Sequence, residues 1–319
     1  MKLKKIYEFA IEHGKKNDPR GLRRIESELS QLRKAYDDMP EKKKRFFDSE
    51  KLVNPFADTR ILNGSGEENI KMVLAGIDIE VGEVLLADRM KEKGKRVDLL
   101  LSHHPEGKAL AALADVMKLQ TDVLLRCGVP ISVSESLMEE RMQEVNRRVM
   151  PVNHNRAVDV AKILDIPFLC VHTPADNSVT KYLGDLLEKK KPELVSDVID
   201  ILNDLPEYQH ANEINAGPAI ISGSESRRCG KIMVDMTGGT EGSKSIFENL
   251  KNSGVNTVVC MHLSEEHLKE AKTHHLNVII AGHIASDNMG LNLFLDALVK
   301  KENINVIPCS GFVRVNRNG

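Results

Sequence analysis

The chain has 319 residues, 41% of them hydrophobic, and a formal net charge of −2, enough for one large domain or two ordinary ones with a substantial core. Near-neutral charge and aromatics at 4%, with no tryptophan, argue against a nucleic-acid-binding domain built on basic excess or base stacking. No apolar run approaches the ~20 residues of a membrane span, and the basic N-terminus lacks the uninterrupted apolar segment of a signal peptide.

Cys127, Cys170, Cys229, Cys260 and Cys309 form no CxxC pair, and they read as reduced core thiols of a cytoplasmic protein rather than ligands of a structural zinc. Residues 1–69 read as a charged helical N-terminal extension. Asp18-Pro19 has the form of an N-cap followed by a first helical residue, and Leu22, Ile25, Leu29, Leu32 and Tyr36 then recur at helical spacing. The charge runs here, such as EKKKRFF after Pro40, read as solvated helix faces. An arm that contacts a partner subunit or nucleic acid is the alternative. NGSGEEN (63–69) has the composition of a linker.

From residue 70 strand and helix signals alternate. Strands are expected at 70–79, 97–102 and 166–172, in PAIISGS, KIMVDMTGG and NTVVCMH, and at 277–283. VPISVSES (129–136) reads as a short extended piece, and NVIPCSGFVRVNR as two closing strands. Helical stretches separate most of these, which defines an α/β fold with mixed, largely parallel sheets. An early unit ending LLLSHH and a late one ending VIIAGH suggest two related lobes, roughly 70–190 and 215–319, within a 70–319 metal-binding domain.

Three strand ends carry candidate ligands: His103 and His104 before Pro105, His172 and Asp176 in VHTPAD, and His283 and Asp287 in AGHIASD. Functional groups in α/β proteins collect beyond the carboxyl ends of strands. Imidazole and carboxylate together suit zinc, iron or manganese, and a carboxylate can bridge a pair of ions. His283 and Asp287 share a helix face if the helix starts at or before His283. TGGTEGS (237–243) reads as a strand-to-helix turn, with phosphate cradling as the weaker alternative. Asp78, ending the first strand, reads either as a carboxylate orienting a histidine or as a helix cap. His154 and His262 read as ordinary histidines, and His274-His275 as a helix C-terminal pair.

The set GIDI, DLLLSHHP, VHTPAD and AGHIASDNMG resembles the Nif-three-like dinuclear-metal family, some of whose members are described as GTP cyclohydrolase I type 2 homologues. The resemblance covers about residues 70–319. It implies metal ligands at His103, His104, Asp176, His283 and Asp287, the last being commonly Glu in the family. It also implies a two-lobed α/β fold and a ring-shaped homohexamer with its metal sites facing an internal cavity. His267 lies near a position where the family often has a histidine.

The function expected from residues and resemblance together is that of a cytoplasmic metal-dependent hydrolase. It would hold two divalent ions (Zn, Fe or Mn) and act on a nucleotide-like or phosphate-containing small molecule, with His172 as an acid/base or substrate-binding group. The alternative is a non-catalytic metal-handling or regulatory scaffold that works through protein partners.

Overall fold

The alternating apolar runs build two separate sheets in the computed structural model, which describes residues 1–318. The elements in chain order are α1 (Leu3–Asn17), α2 (Leu22–Asp37), α3 (Glu41–Lys44), β1 (Arg60–Asn63), β2 (Met72–Gly76), α4 (Val81–Glu92), β3 (Leu99–Ser102), α5 (Gly107–Ala111), α6 (Leu113–Val116), α7 (Leu119–Cys127), α8 (Ile131–Val149), α9 (Arg156–Ile163), β4 (Phe168–Cys170), α10 (Thr173–Lys190), α11 (Val195–Asn203), α12 (Pro206–Glu213), β5 (Ala219–Ser222), β6 (Lys231–Asp235), α13 (Ile246–Asn252), β7 (Val255–Cys260), α14 (Glu265–Thr273), β8 (Asn277–Ile280), α15 (His283–Val299) and β9 (Asn305–Cys309).

The first sheet has the order β1-β4-β3-β2-β9 and the second β5-β8-β7-β6. In the first, β4, β3, β2 and β9 run parallel while β1 pairs antiparallel with β4. In the second, β8, β7 and β6 run parallel while β5 pairs antiparallel with β8. The two lobes are therefore wound alike: an antiparallel edge strand followed by three parallel strands in the same sequential order. Strand β3, buried at every position, shows why its sequence is a continuous apolar run rather than an alternating one. Among the described residues no helix is long and apolar enough to cross a membrane.

The boundary expected at residue 69 does not divide the molecule. Leu3, Ile6 and Ala10 of α1 are fully buried in one cluster with Val73, Leu101 and Phe294, and β1 is the edge of the first sheet. The spacing of those three residues is one helical face, which the surrounding lysines obscure in sequence. Asp18 is not an N-cap. It follows α1 and pairs with Arg20 at 2.8 Å, and Gly21 precedes α2.

The lobe limits also shift. β9 returns to the first sheet beside β2, while Leu124, Met138 and Val145 pack with Phe247, Val255 and Val258 of the second lobe. The stretch 129–136 is not extended, because α8 starts at Ile131 directly after Pro130. Its β-branched residues lose to burial of the Ser134, Met138 and Val145 face. Of the two closing strands only β9 forms. The backbone after it is held by side-chain amides of α15 instead, Asn288 bonding Gly311 O at 2.8 Å and Asn292 bonding Val313 O at 3.0 Å.

Candidate metal centre

β3 delivers His103 and His104 to the carboxyl edge of the first sheet, where their backbone N–H groups bond Gly76 O (3.0 Å) and Ile77 O (2.8 Å). β4 ends two residues before His172, the residue that precedes α10. Pro174 suits the first turn of that helix and Asp176 lies in the same turn. β8 leads through Gly282, at φ +106°, into α15, whose first residue is His283. His283 and Asp287 are thus one turn apart on one face.

Helices α10 and α15 then cross closely. A Cβ on Gly290 would lie 2.6 Å from Ala175 O, so only glycine permits this approach. The crossing brings Asp176 and Asp287 to the same histidines.

All six residues singled out in the sequence meet here. His103 Nε2 lies 3.3 Å from Asp176 Oδ1 and 3.3 Å from Asp287 Oδ1. Asp287 Oδ2 lies 3.2 Å from His104 Nε2 and 3.4 Å from His283 Nε2. His172 Nε2 is 3.7 Å from Asp176 Oδ2. Yet both ring nitrogens of His103, Asp176 Oδ1 and both Asp287 oxygens are buried with no hydrogen-bond partner. Leaving such groups unpaired is costly. Two triplets, His103/His172/Asp176 and His103/His104/Asp287, have ligand atoms within 4.8 Å of one another. Donors bound to one ion at 2.0–2.2 Å lie roughly 3.3–3.6 Å apart at tetrahedral angles. The N/O donor set, its spacing and its orphaned atoms all fit a divalent cation.

The electrostatics agree. Burial disfavours the charged form of His103, but facing Asp287 and Asp176 outweigh it and lift its pKa to about 10. Burial likewise opposes charge on His104, which Asp287 and Asp78 raise to about 9. Asp287 is held far below the ordinary carboxylate range, because His103, His104 and His283 overcome its burial. His283 is lowered by burial and by the other histidines. The carboxylates demand positive charge at this spot.

Behind the cluster stand two orienting carboxylates. Asp78 Oδ1 is 2.7 Å from His104 Nδ1, which settles its role in favour of orienting a histidine. Asp58 Oδ2 is 2.8 Å from His172 Nδ1 and accepts from Thr173 Oγ1 at 2.6 Å. A carboxylate on the far nitrogen fixes which imidazole nitrogen faces the site. Asp58 went unread in the sequence because it sits inside the charge-rich segment.

His262, read as ordinary, is close as well. Its ring stacks 4.8 Å from that of His283, and its Nδ1 lies 3.4 Å from Glu241 Oε1. Glu241 raises His262. Against its own burial, Glu241 is drawn down to about 2 by His262, His267 and the Ser264 N–H. His267 bonds Ser264 Oγ (2.6 Å) and Gly242 O (3.0 Å) away from the cluster. His154 bonds Val149 O, and His274 ends α14.

A cavity of about 80 Å³ runs from His172, Asp176, His283 and Asp287 into the second lobe. Leu124, Met138, Met233 and Phe247 form its apolar body, and the 237–243 turn forms one wall. Gln120 Nε2 pins that turn by donating to Gly238 O (2.9 Å) and Thr240 O (2.6 Å).

Fold and site together define a two-lobed α/β protein with a buried His/Asp centre between like-wound sheets. A NIF3 superfamily protein from Sphaerobacter thermophilus is 27% identical, with a TM-score of 0.70, over 82% of this chain and 94% of that one. Reduced HcgD from Methanocaldococcus jannaschii, 17% identical with a TM-score of 0.51 over 81% and 94%, shares the fold. No family profile and no curated protein matches the chain. The NIF3-like family indicated by the strand-end motifs is supported by the Sphaerobacter thermophilus neighbour.

Proposed function

We propose that the chain is a metal-dependent hydrolase that holds two divalent cations through His103, His104, Asp176, His283 and Asp287. The observation that supports this most is the buried, unpartnered state of the His103, Asp176 and Asp287 donor atoms. Such ions, when bound, supply Lewis acidity toward a substrate oxygen and toward water.

The chain's own groups have separable tasks. Asp287 turns one oxygen to His103 and the other to His104 and His283, so it is the carboxylate placed to serve two ions. Asp78 and Asp58 hold His104 and His172 in fixed ring orientations. His172, donating Nδ1–H to Asp58, presents Nε2 beside Asp176, where it can hold or move a proton at the substrate. The same ring completes the His103/His172/Asp176 triplet, so metal binding and proton handling compete for it.

No lysine or arginine lines the cavity. The phosphates of a nucleotide-like substrate would therefore be met at the His/Asp centre, and GTP is the first compound to try on the strength of the family resemblance. The same resemblance makes a homohexamer the assembly to look for, by light scattering of the purified protein.

Elemental analysis of the purified protein tests the reading. Two divalent ions per chain are expected, with loss in Asp176→Ala and Asp287→Ala. Unchanged metal content in both variants would refute the ligand set. Turnover of nucleotides or phosphoesters with zinc, manganese or iron, abolished by His104→Ala, is the expected activity result.

A further inference from the structure

The cavity holds a charge that the hydrolase reading does not use. Asp235 ends β6 and faces the cavity, with Met233 two residues earlier on the same side and Cys260 across the register. Around it the cavity is built from Leu124, Met138, Val258 and Phe247. Its carboxyl lies in the field of His262, His267 and Glu241 and takes no hydrogen bond from a described residue, and burial pushes its pKa up to about 6. A half-buried carboxylate that faces a cavity with no protein donor is open to one supplied by a ligand.

The cavity's composition limits what such a ligand can be. With no lysine or arginine among the described lining residues, an anionic group would find only histidines here and would be repelled by Asp235. The thioether and aromatic lining suits a compact apolar or planar body. Resting on the reading of the cavity as a substrate site, we propose that Asp235 is the recognition carboxylate of that site and selects ligands bearing an N–H donor. The class comprises amines, amidines and lactam-like N–H groups on a compact apolar or planar body.

The test uses benzamidine as a donor probe and benzoate as its anionic counterpart. Each is titrated into the full-length protein and followed by methyl NMR of Met233 and Met138. Benzamidine is expected to bind, with benzoate at least tenfold weaker. Asp235→Asn, checked for an unchanged melting temperature, is expected to weaken benzamidine at least tenfold. Should Asp235→Asn unfold, Asp235→Glu serves instead, and a perturbed benzamidine affinity is the supporting result.

Absence of benzamidine binding, equal binding of benzoate, or benzamidine binding unchanged in every folded Asp235 variant would each overturn the proposal. Asp176→Ala, in turn, is expected to leave benzamidine binding intact. A failed metal assignment would thus show in elemental analysis alone, and a failed Asp235 assignment in the probe titration alone.

Discussion

Asp58 and Asp78 perform the same task on two histidines, but only one was legible in sequence. Asp78 follows an apolar strand directly, and the strand-end rule draws attention to it. Asp58 lies in Asn54-Pro55-Phe56-Ala57-Asp58, amid charge-rich sequence, and becomes fully buried only because β1 pairs with β4 more than a hundred positions later. His262 escaped for a related reason, since a single histidine at a strand end has no local feature to separate it from an ordinary one. The pairs His103/His104, His172/Asp176 and His283/Asp287 were legible as candidates because each follows a strand signal. Replacing Asp58 by Asn keeps an acceptor for His172 but removes the charge. The expected result is a 10–100-fold loss in metal affinity or turnover, the usual range for such orienting partners, with the melting curve little changed. Isothermal titration with zinc and steady-state kinetics would measure it.

At the level of elements, α1 was the largest surprise, because its lysines hid a core-facing stripe. His13 on this helix gives its docking a pH dependence. Its Nε2 faces Asn17 Nδ2 at 3.1 Å and Ser178 Oγ at 3.0 Å, so the ring is an acceptor and neutral. Burial, with Lys16 and Lys301 nearby, lowers its pKa from 6.5 to about 4. Below pH 6.5 the unfolded chain binds the proton more readily than the folded one. Stability is therefore full above pH 6.5 and falls as pH drops toward 4, by at most a few kcal/mol at ~1.4 kcal/mol per pKa unit. Denaturant titrations of the protein and of His13→Gln across this window should show a shallower acid limb in the variant.

Gly290 makes a second prediction at this scale. Gly290→Ala forces α10 and α15 apart at Ala175 and is expected to cost about 1–3 kcal/mol, as overpacking does. Bound metal should fall with it, because Asp176 and Asp287 sit on those two helices. Paired denaturant melts and elemental analysis would show both effects or neither.

Across the whole molecule, the proposed ligands come from both lobes and from segments separated by most of the chain. Ions held there would tie together parts that the unfolded chain keeps far apart. Stripping with a chelator should lower the melting temperature. Re-adding metal at about a thousand times its dissociation constant should restore ~4 kcal/mol, and Asp287→Ala should abolish that difference. Scanning calorimetry of the stripped, reloaded and variant proteins checks this. The overall winding was readable from the strand-helix rhythm. What could not be read was which lobe each piece joins, because β9 and α6 to α8 are assigned by packing partners distant in sequence rather than by local pattern.

The like winding of the two sheets has a further consequence. When the strands are matched by register, with Gly76 beside Ser102 and Asp235 beside Cys260, the residues just beyond them correspond. Asp78, His103 and His104 then fall opposite Thr237, Met261 and His262. At these three positions the first rim carries a carboxylate and two imidazoles, and the second a hydroxyl, a thioether and one imidazole. The cleft between them is asymmetric because of what each rim carries, although the scaffold beneath is nearly a repeat of itself.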